Sequence, residues 1–358
     1  MHKKEKILAL AILVILLGGE LLGFAVFKTY SLFYQKPQLD ELNHGLFSRL
    51  DANLGYAHDL NYKFTERDYK LGLFKELSDT DTSIQGFIQY KHLSAGSKPV
   101  RIGIFGDSTS DPLLFRGNWP WVLHQLLIQK NISHIIFNGS VSGYTSFQQL
   151  TKITRDLSAI EPLDLMLVAN GCNDFATISD IVPGHPSVHV FQKMVFDQYA
   201  GIVNFGRSPN FLPNLQYLLK YSYARLFDKY ENNMNMGPPV FDLSTAYRNN
   251  IISMHAIADS RHIKFFHFVQ PVLNSDSQID SSIYVENSDM RNPEMISHAK
   301  NDVKSAAAAV KDLSYSTSLA NLLDNENNSF VDLGHLSPTG NKKVAETIFS
   351  IIEKNLKP

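Results

Sequence analysis

The period of apolar positions changes several times along the chain, and each change marks an element. Residues 7–27 (ILALAILVILLGGELLGFAVF) are apolar apart from Glu20. At about 1.5 Å of rise per residue such a segment spans roughly 31 Å, the thickness of a bilayer core. From Val100 onward, short apolar runs alternate with helical periodicity. Val100–Phe105 reads as a strand ending at Gly106, and His134–Phe137 as a second strand ending at Asn138-Gly139. Trp119–Gln129 carries Val122, Leu123, Leu126 and Leu127 at helical spacing, and Phe147, Leu150, Ile153, Leu157 and Ile160 repeat it. Leu163–Ala169 is almost continuously apolar, as a strand covered on both faces should be. Leu243–Ala258 and Met295–Leu313 read as helices, Ile263–Val269 and Ser329–Val331 as strands. Ser337-Pro338 opens a last helix as N-cap and first-turn proline, with Val344, Ile348, Ile351 and Ile352 on its buried face.

Strands alternating with helices predict parallel βαβ units. The fold class is therefore α/β: a three-layer α/β/α flavodoxin-like sandwich around a mostly parallel five-stranded sheet, with an N-terminal transmembrane helix. Ligands of such sheets bind beyond the carboxyl ends of the strands. Residues 1–6 are a basic segment, 7–27 the anchor, and 98–358 the main domain. Residues 28–97 hold many aromatics, among them Tyr56, Tyr62, Phe74, Phe87 and Tyr90, too apolar for a free linker. They read as a stalk packed on the domain.

Lys3, Lys4 and Lys6 before the apolar span favour a cytoplasmic N-terminus. The chain would then be a single-pass protein of the inner membrane, its domain periplasmic or extracellular. Two alternatives stay open. Ile7–Gly19 has the length of a signal-peptide core followed by a small-x-small site at Gly23-Phe24-Ala25, and the span could instead be a buried helix.

Composition narrows the function. The 358 residues suit about two domains at ~150 residues each. Charged residues make up 19%, below the usual ~25%. With 33 basic and 35 acidic residues the net charge is −2, which argues against a nucleic-acid surface and against an acidic disordered tail. One cysteine excludes an intrachain disulfide and a Cys-cluster zinc site. No cofactor or metal is implied.

Polar and small residues concentrate just after the predicted strands. They are Gly106-Asp107-Ser108-Thr109-Ser110, Asn138–Thr145 (NGSVSGYT), Asn170-Gly171-Cys172-Asn173-Asp174 and Asp332-Leu333-Gly334-His335. A serine hydroxyl needs an adjacent base to act as a nucleophile, and a histidine oriented by a carboxylate is the usual one. Asp332 and His335, three apart, can share one side of a turn, leaving the other ring nitrogen for Ser108. An oxyanion needs preorganised donors. The candidates are the Ser108 N–H, an N–H in the glycine-containing second turn and the Asn173 side-chain amide. Taken singly, each element is ordinary turn or cap chemistry. Their order, each at a strand end, is what points to hydrolysis. Gly106-x-Ser108-x-Ser110 lacks the GxSxG elbow of α/β-hydrolases.

The set resembles the SGNH (GDSL-type) hydrolase superfamily over about residues 98–182 and 241–358. The resemblance implies Ser108 as nucleophile, Gly143 (rather than Gly139) and Asn173 with Ser108 as oxyanion hole, and Asp332 with His335 as the rest of the triad. It implies a serine esterase acting through an acyl-serine on an ester-bearing small molecule, lipid or glycan outside the membrane. An acyltransferase passing the acyl group to an envelope glycan and an inactive envelope scaffold are the alternatives. The lead-in Asp51–Tyr56 (DANLGY) is similar to membrane-anchored envelope members. Residues 183–240 exceed the usual family core and read either as a lid or acceptor-binding insertion, or as a structural excursion or dimer contact.

Other tempting residues have plainer readings. Cys172 fills the variable position of the third block and reads as a packed thiol. Ser110 reads as a helix-start hydroxyl or a backup nucleophile. His185 and His189 are four apart, but Pro186 lies between them and no carboxylate is near. His267 reads as a bonded core residue, Asp107 as a turn brace, and Trp119 and Trp121 as core.

Overall fold

Alternation decides the sheet, because successive side chains of a strand face opposite layers. In the strand Leu165–Asn170, Leu165 and Leu167 join one buried layer while Met166 and Val168 join the other. In Val100–Gly106, Ile102 and Ile104 face the first layer and Phe105 the second. These strands must therefore be covered on both sides. The computed structural model describes Gly18 and residues 48–51, 54–58, 86–112, 117–176, 242–273 and 293–356. The chain divides into two units, Met1–Gly45 with Lys193–Gly237 and Leu46–Gln192 with Pro238–Pro358. Apart from Gly18, the described residues belong to the second unit.

The strands are β1 Ser48–Asp51, β2 Gly55–His58, β3 Ile88–His92, β4 Val100–Gly106, β5 His134–Asn138, β6 Leu165–Asn170, β7 Lys264–Val269 and β8 Ser316–Ser318. The helices used below are α1 Trp119–Gln129, α2 Ser146–Asp156, α3 Asn173–Ala176, α4 Leu243–Asp259, α5 Pro293–Val310 and α6 Pro338–Ile352. Strands β1 and β2 form an antiparallel hairpin. The other six make one mixed sheet in the order β3-β5-β4-β6-β7-β8. Five of them run parallel, and β3 pairs antiparallel to β5 at one edge. Ile104 lies beside Asn138, and Gly106 beside Ala169, so the central strand ends level with its neighbours.

One face is covered by α1 and α6, through Trp119, Leu123, Leu127, Val344, Ile348 and Ile352. The other is covered by α2, α4 and α5, through Ile153, Ile251, Met254 and Val303. Burying each such side chain contributes about 1.5–3 kcal/mol, so the two layers dominate the favourable energy.

The sheet departs from expectation at both edges. A sixth strand, β3, lies in the stretch read as a stalk. Its Ile88 and Tyr90 are buried while Lys91 is exposed, a period of two that the surrounding aromatics hide. The fifth parallel strand is Ser316–Ser318, not Ser329–Val331. Phe330 makes only an isolated antiparallel bridge to Leu336, because the chain turns back at once through Asp332–Gly334. The serines of β8 fit the edge beside β7, where Ser316 Oγ bonds the buried His267 at 2.7 Å.

Helix α6 starts as its sequence predicts. Ser337 Oγ accepts from Gly340 N at 3.2 Å, and Pro338 occupies the first turn. Ile351 is half-buried, while Val344, Ile348 and Ile352 are fully covered. Among the described residues no helix is long and apolar enough to cross a membrane. The predicted span 7–27, apart from Gly18, lies outside the described residues, as do the insertion 183–240 and its His185 and His189.

Gly340 gives a test of this packing. A Cβ there would stand 2.1 Å from the carbonyl oxygen of Ser329. Gly→Ala in a helix ordinarily stabilises by about 1 kcal/mol. Gly340→Ala should instead destabilise by about 1–3 kcal/mol through overpacking, read as a lower denaturant midpoint. An unchanged or raised midpoint would contradict the close approach of α6 to the loop before it.

Candidate active site

The loops after β4, β5 and β6 leave the same end of the sheet. The first follows Gly106, where a Cβ would meet Ser110 Oγ at 2.6 Å and Ala169 O at 3.1 Å, so only glycine fits. Asp107 braces the turn: its Oδ1 accepts from Thr109 N at 3.0 Å and Thr109 Oγ1 at 2.9 Å. Ser110 N donates to Asp107 O at 3.0 Å. Within residues 106–112 every residue is buried except Ser108, which keeps partial solvent contact. The turn thus presents one hydroxyl outward. Ser110 points inward, its Oγ accepting from Trp119 Nε1 at 2.9 Å, so it anchors α1 rather than presenting a second nucleophile.

The second loop is tied to the first. Gly139 N donates to Ile104 O at 2.8 Å and a Cβ on Gly139 would strike Phe87 at 2.5 Å. Its N–H is committed and its role is packing. Val141 N donates to Gly106 O at 3.2 Å, and Tyr144 N to Val141 O at 3.1 Å. Gly143 holds φ +76° at the third position of that turn, the conformation a type II turn demands and glycine supplies. Asn138 Nδ2 donates to Ser110 O at 2.8 Å. Ser142 donates through both N and Oγ to Asp111 Oδ2, each at 2.6 Å.

The third loop joins the second. Gly171 has φ +120°. Asn173 Nδ2 then donates to Tyr144 O at 3.2 Å, using one amide hydrogen and placing this side chain beside the Gly143 turn. Asp174 Oδ1 accepts from Ser146 N at 2.9 Å and Ser146 Oγ at 2.5 Å. Beneath them, Asn170 is held by Gln149, Tyr247 and His267 at 2.7 to 2.9 Å. His267 is fully buried, and burial pulls it down to about 3, so it stays neutral.

Asp332 and His335 sit on the tight loop between Phe330 and Leu336. Asp332 Oδ1 accepts from Gly334 N at 2.9 Å and His335 N at 2.7 Å. Its Oδ2 lies 2.6 Å from His335 Nδ1. One carboxylate therefore shapes the loop and orients the ring. The loop is held from outside by Val331 N to His335 O and Leu273 N to Leu333 O, both 2.9 Å.

Charges link this loop to the first. Burial pulls the pKa of His335 down, but Asp332, through its charge and hydrogen bond, and then the charges of Asp107 and Asp111, outweigh it and hold the imidazole above its ordinary 6.5. Burial pushes Asp332 up, yet the His335 charge and the three bonds it accepts leave it below its ordinary value. Asp107 is raised to about 6 by burial, against its Thr109 bonds and the His335 charge. Burial raises Asp174 to about 7 despite the Ser146 bonds. The Cys172 thiol is pushed far up by burial and by the surrounding carboxylates, so it is no nucleophile at neutral pH.

Asp332 and His335 thus meet directly, as do Asn173 and the Gly143 turn, while Ser108 lies in the turn whose Asp107 acts on His335. Among the described residues Ser108 Oγ makes no hydrogen bond, so the link from Ser108 to His335 is not closed here. Such bonds are often long before substrate binds. The N–H groups of Ser108 and Gly143 meet no acceptor among the described residues. Sequence reasoning missed Asp111 and the loop-to-loop bonds of Ser142 and Asp174; no local pattern marks a partner 31 residues away. Among the described residues no group of three His, Cys, Asp or Glu side chains is placed to hold a metal ion.

No protein-family model and no curated protein matches the chain. Solved structures overlap it weakly. A lipase/acylhydrolase from Enterococcus faecalis is 14% identical with a TM-score of 0.42, covering 72% of this chain and 98% of its own. An acetyl xylan esterase, AlAXEase, is 14% identical with a TM-score of 0.41, covering 71% and 100%. A GDSL-like lipase from Bacteroides thetaiotaomicron is 14% identical with a TM-score of 0.35, covering 73% and 93%. Likeness of this degree carries no argument about activity, which must rest on the site itself.

The pairing of Asp332 with His335 can be read in solution. The imidazole of His335, followed by NMR, should titrate above 6.5, and Asp332→Asn should move its titration to lower pH. A titration that Asp332→Asn leaves in place would show that the two do not interact.

Proposed function

We propose that this chain is a serine esterase of SGNH type that cleaves O-acyl esters through an acyl-serine intermediate. The observation that carries the reading is the Asp332–His335 pair, bonded at 2.6 Å, with the imidazole under the charge of the Asp107 that braces the Ser108 turn. Ser108 Oγ attacks the acyl carbon, and its proton passes to His335 Nε2. The carbonyl oxygen becomes an oxyanion beside the N–H groups of Ser108 and Gly143 and the Asn173 amide. As the carbonyl re-forms, the ester C–O bond breaks and His335 returns the proton to the departing alcohol. Water attacks the acyl-serine, giving its proton to His335, and the carboxylic acid leaves as Ser108 recovers its proton. Asp332 holds the tautomer and the imidazolium throughout.

Water needs no dedicated acceptor subsite, which favours hydrolysis over transfer to a glycan hydroxyl. The substrate class is an ester-bearing small molecule, lipid or glycan. The apolar span 7–27 behind Lys3, Lys4 and Lys6 supports an inner-membrane anchor with this site on the outer side. Protease added to intact spheroplasts should then digest the domain; protection of the domain would refute that placement.

A fluorophosphonate probe should label wild-type protein at Ser108, and Ser108→Ala should lose both the label and hydrolysis of p-nitrophenyl acetate. Asn173→Ala should lower kcat on the order of 10²–10³-fold, as expected for one oxyanion donor. Full activity in Ser108→Ala would overturn the mechanism. Transfer of acetyl to a glycan, with little free acetate released, would replace hydrolysis by acyl transfer.

A further inference from the structure

Asp111 stands three residues after Ser108 and is buried at 3% exposure. It could have been a surface residue of the next turn. Instead Oδ2 receives two short bonds from Ser142, one from N and one from Oγ. A carboxylate that accepts two donors from one residue fixes both the position and the orientation of that residue. The next residue is Gly143. The main chain of Asp111 is itself fastened, its carbonyl accepting from Asn118 Nδ2 at 2.6 Å at the start of α1. A rigid connection therefore runs from α1 through Asp111 to the Gly143 turn. The neighbouring ties between these loops, Asn138 Nδ2 to Ser110 O and Val141 N to Gly106 O, hold the base of the turn. The two Asp111 bonds reach Ser142, at the tip itself.

We infer that Asp111 is a positioning residue for the reaction at Ser108: it clamps the Ser142-Gly143 turn to the nucleophile turn, setting the distance between the attacking hydroxyl and the Gly143 N–H. This role rests on the esterase reading. Asp111 touches no reacting atom, so its effect runs through Gly143. Its charge also acts on His335, together with those of Asp107 and Asp332, which gives it a second, separable signature.

Asp111→Asn keeps the shape and one acceptor but removes the charge. Amide exchange at residues 141–144 should quicken. The kcat per fluorophosphonate-titrated site should fall on the order of 10–100-fold, the usual result of misplacing a catalytic group by about 1 Å. KM should change less than about twofold, and the acidic limb of kcat/KM should move to lower pH as His335 loses a neighbouring charge. Ser142→Ala removes the hydroxyl bond and keeps the carboxylate, so it should lower kcat less and leave the acidic limb in place. A merely structural residue would lower the fraction of labelled protein without moving the limb or the per-site kcat. If Asp111→Asn does not fold, Ser142→Ala decides: unchanged exchange and per-site kcat overturn the clamp. If wild-type Ser108 does not label, the esterase reading falls and this role falls with it. Normal labelling with wild-type exchange, kcat and pH limb in Asp111→Asn overturns the clamp alone.

Discussion

Backbone groups removed from water must find partners inside the protein, and here that requirement falls on three buried loops at one end of the sheet. Gly106 leaves β4 with no room for a side chain, so the following turn lies flat against β6. Its carbonyls and those of the adjacent loops cannot reach solvent. They are met instead by Asn138, Asn173, Val141 N and Asn118. The carboxylates of Asp107, Asp111 and Asp174 take up the amides and hydroxyls of Thr109, Ser142 and Ser146. The placement of the Ser108 turn, the Gly143 turn and Asn173 follows from this exchange of hydrogen bonds between loops that are far apart in sequence.

The same burial sets the electrostatics. Asp107 and Asp174 are raised towards neutrality by burial, to about 6 and about 7, despite the bonds they accept. Asp332, with three donors, is held ionised. That contrast between similar residues comes from their surroundings, not from residue type: burial dominates at Asp107 and Asp174, while at Asp332 the His335 charge and its hydrogen bonds outweigh burial. His335 responds to the sum: desolvation alone would keep it neutral, and the carboxylates around it restore its affinity for a proton. A proton affinity raised by neighbouring carboxylates suits His335 to take the Ser108 proton. At Cys172 burial and the charges of Asp107, Asp302, Asp332 and Asp174 all push the same way, upward, and the thiol stays protonated and inert.

Much of this is legible in the chain itself. The four central parallel strands carry long apolar runs, and α1, α2, α4, α5 and α6 carry clear helical spacing, because burial on one or both faces imposes those patterns directly. Strand β3 was not legible as a strand, since Ile88 and Tyr90 sit among many other aromatics. Strand β8 is three residues of Ser and Thr at an edge, with no apolar signal at all. Ser329–Val331 looked like a strand because Phe330 and Val331 are apolar, but Phe330 is buried under a turn.

The sequence by itself determined the alternation of strands and helices, the small and polar residues at the strand ends and the Asp332–His335 spacing. Those are local properties, written in period, turn chemistry and loop length. Only the tertiary structure decided that Ser108 is the residue of its turn left open to solvent, that Gly139 packs while Gly143 turns, and that Asp111 reaches Ser142. These depend on which residues distant in sequence the sheet brings side by side, and the pairing of parallel strands is set by packing across the whole domain.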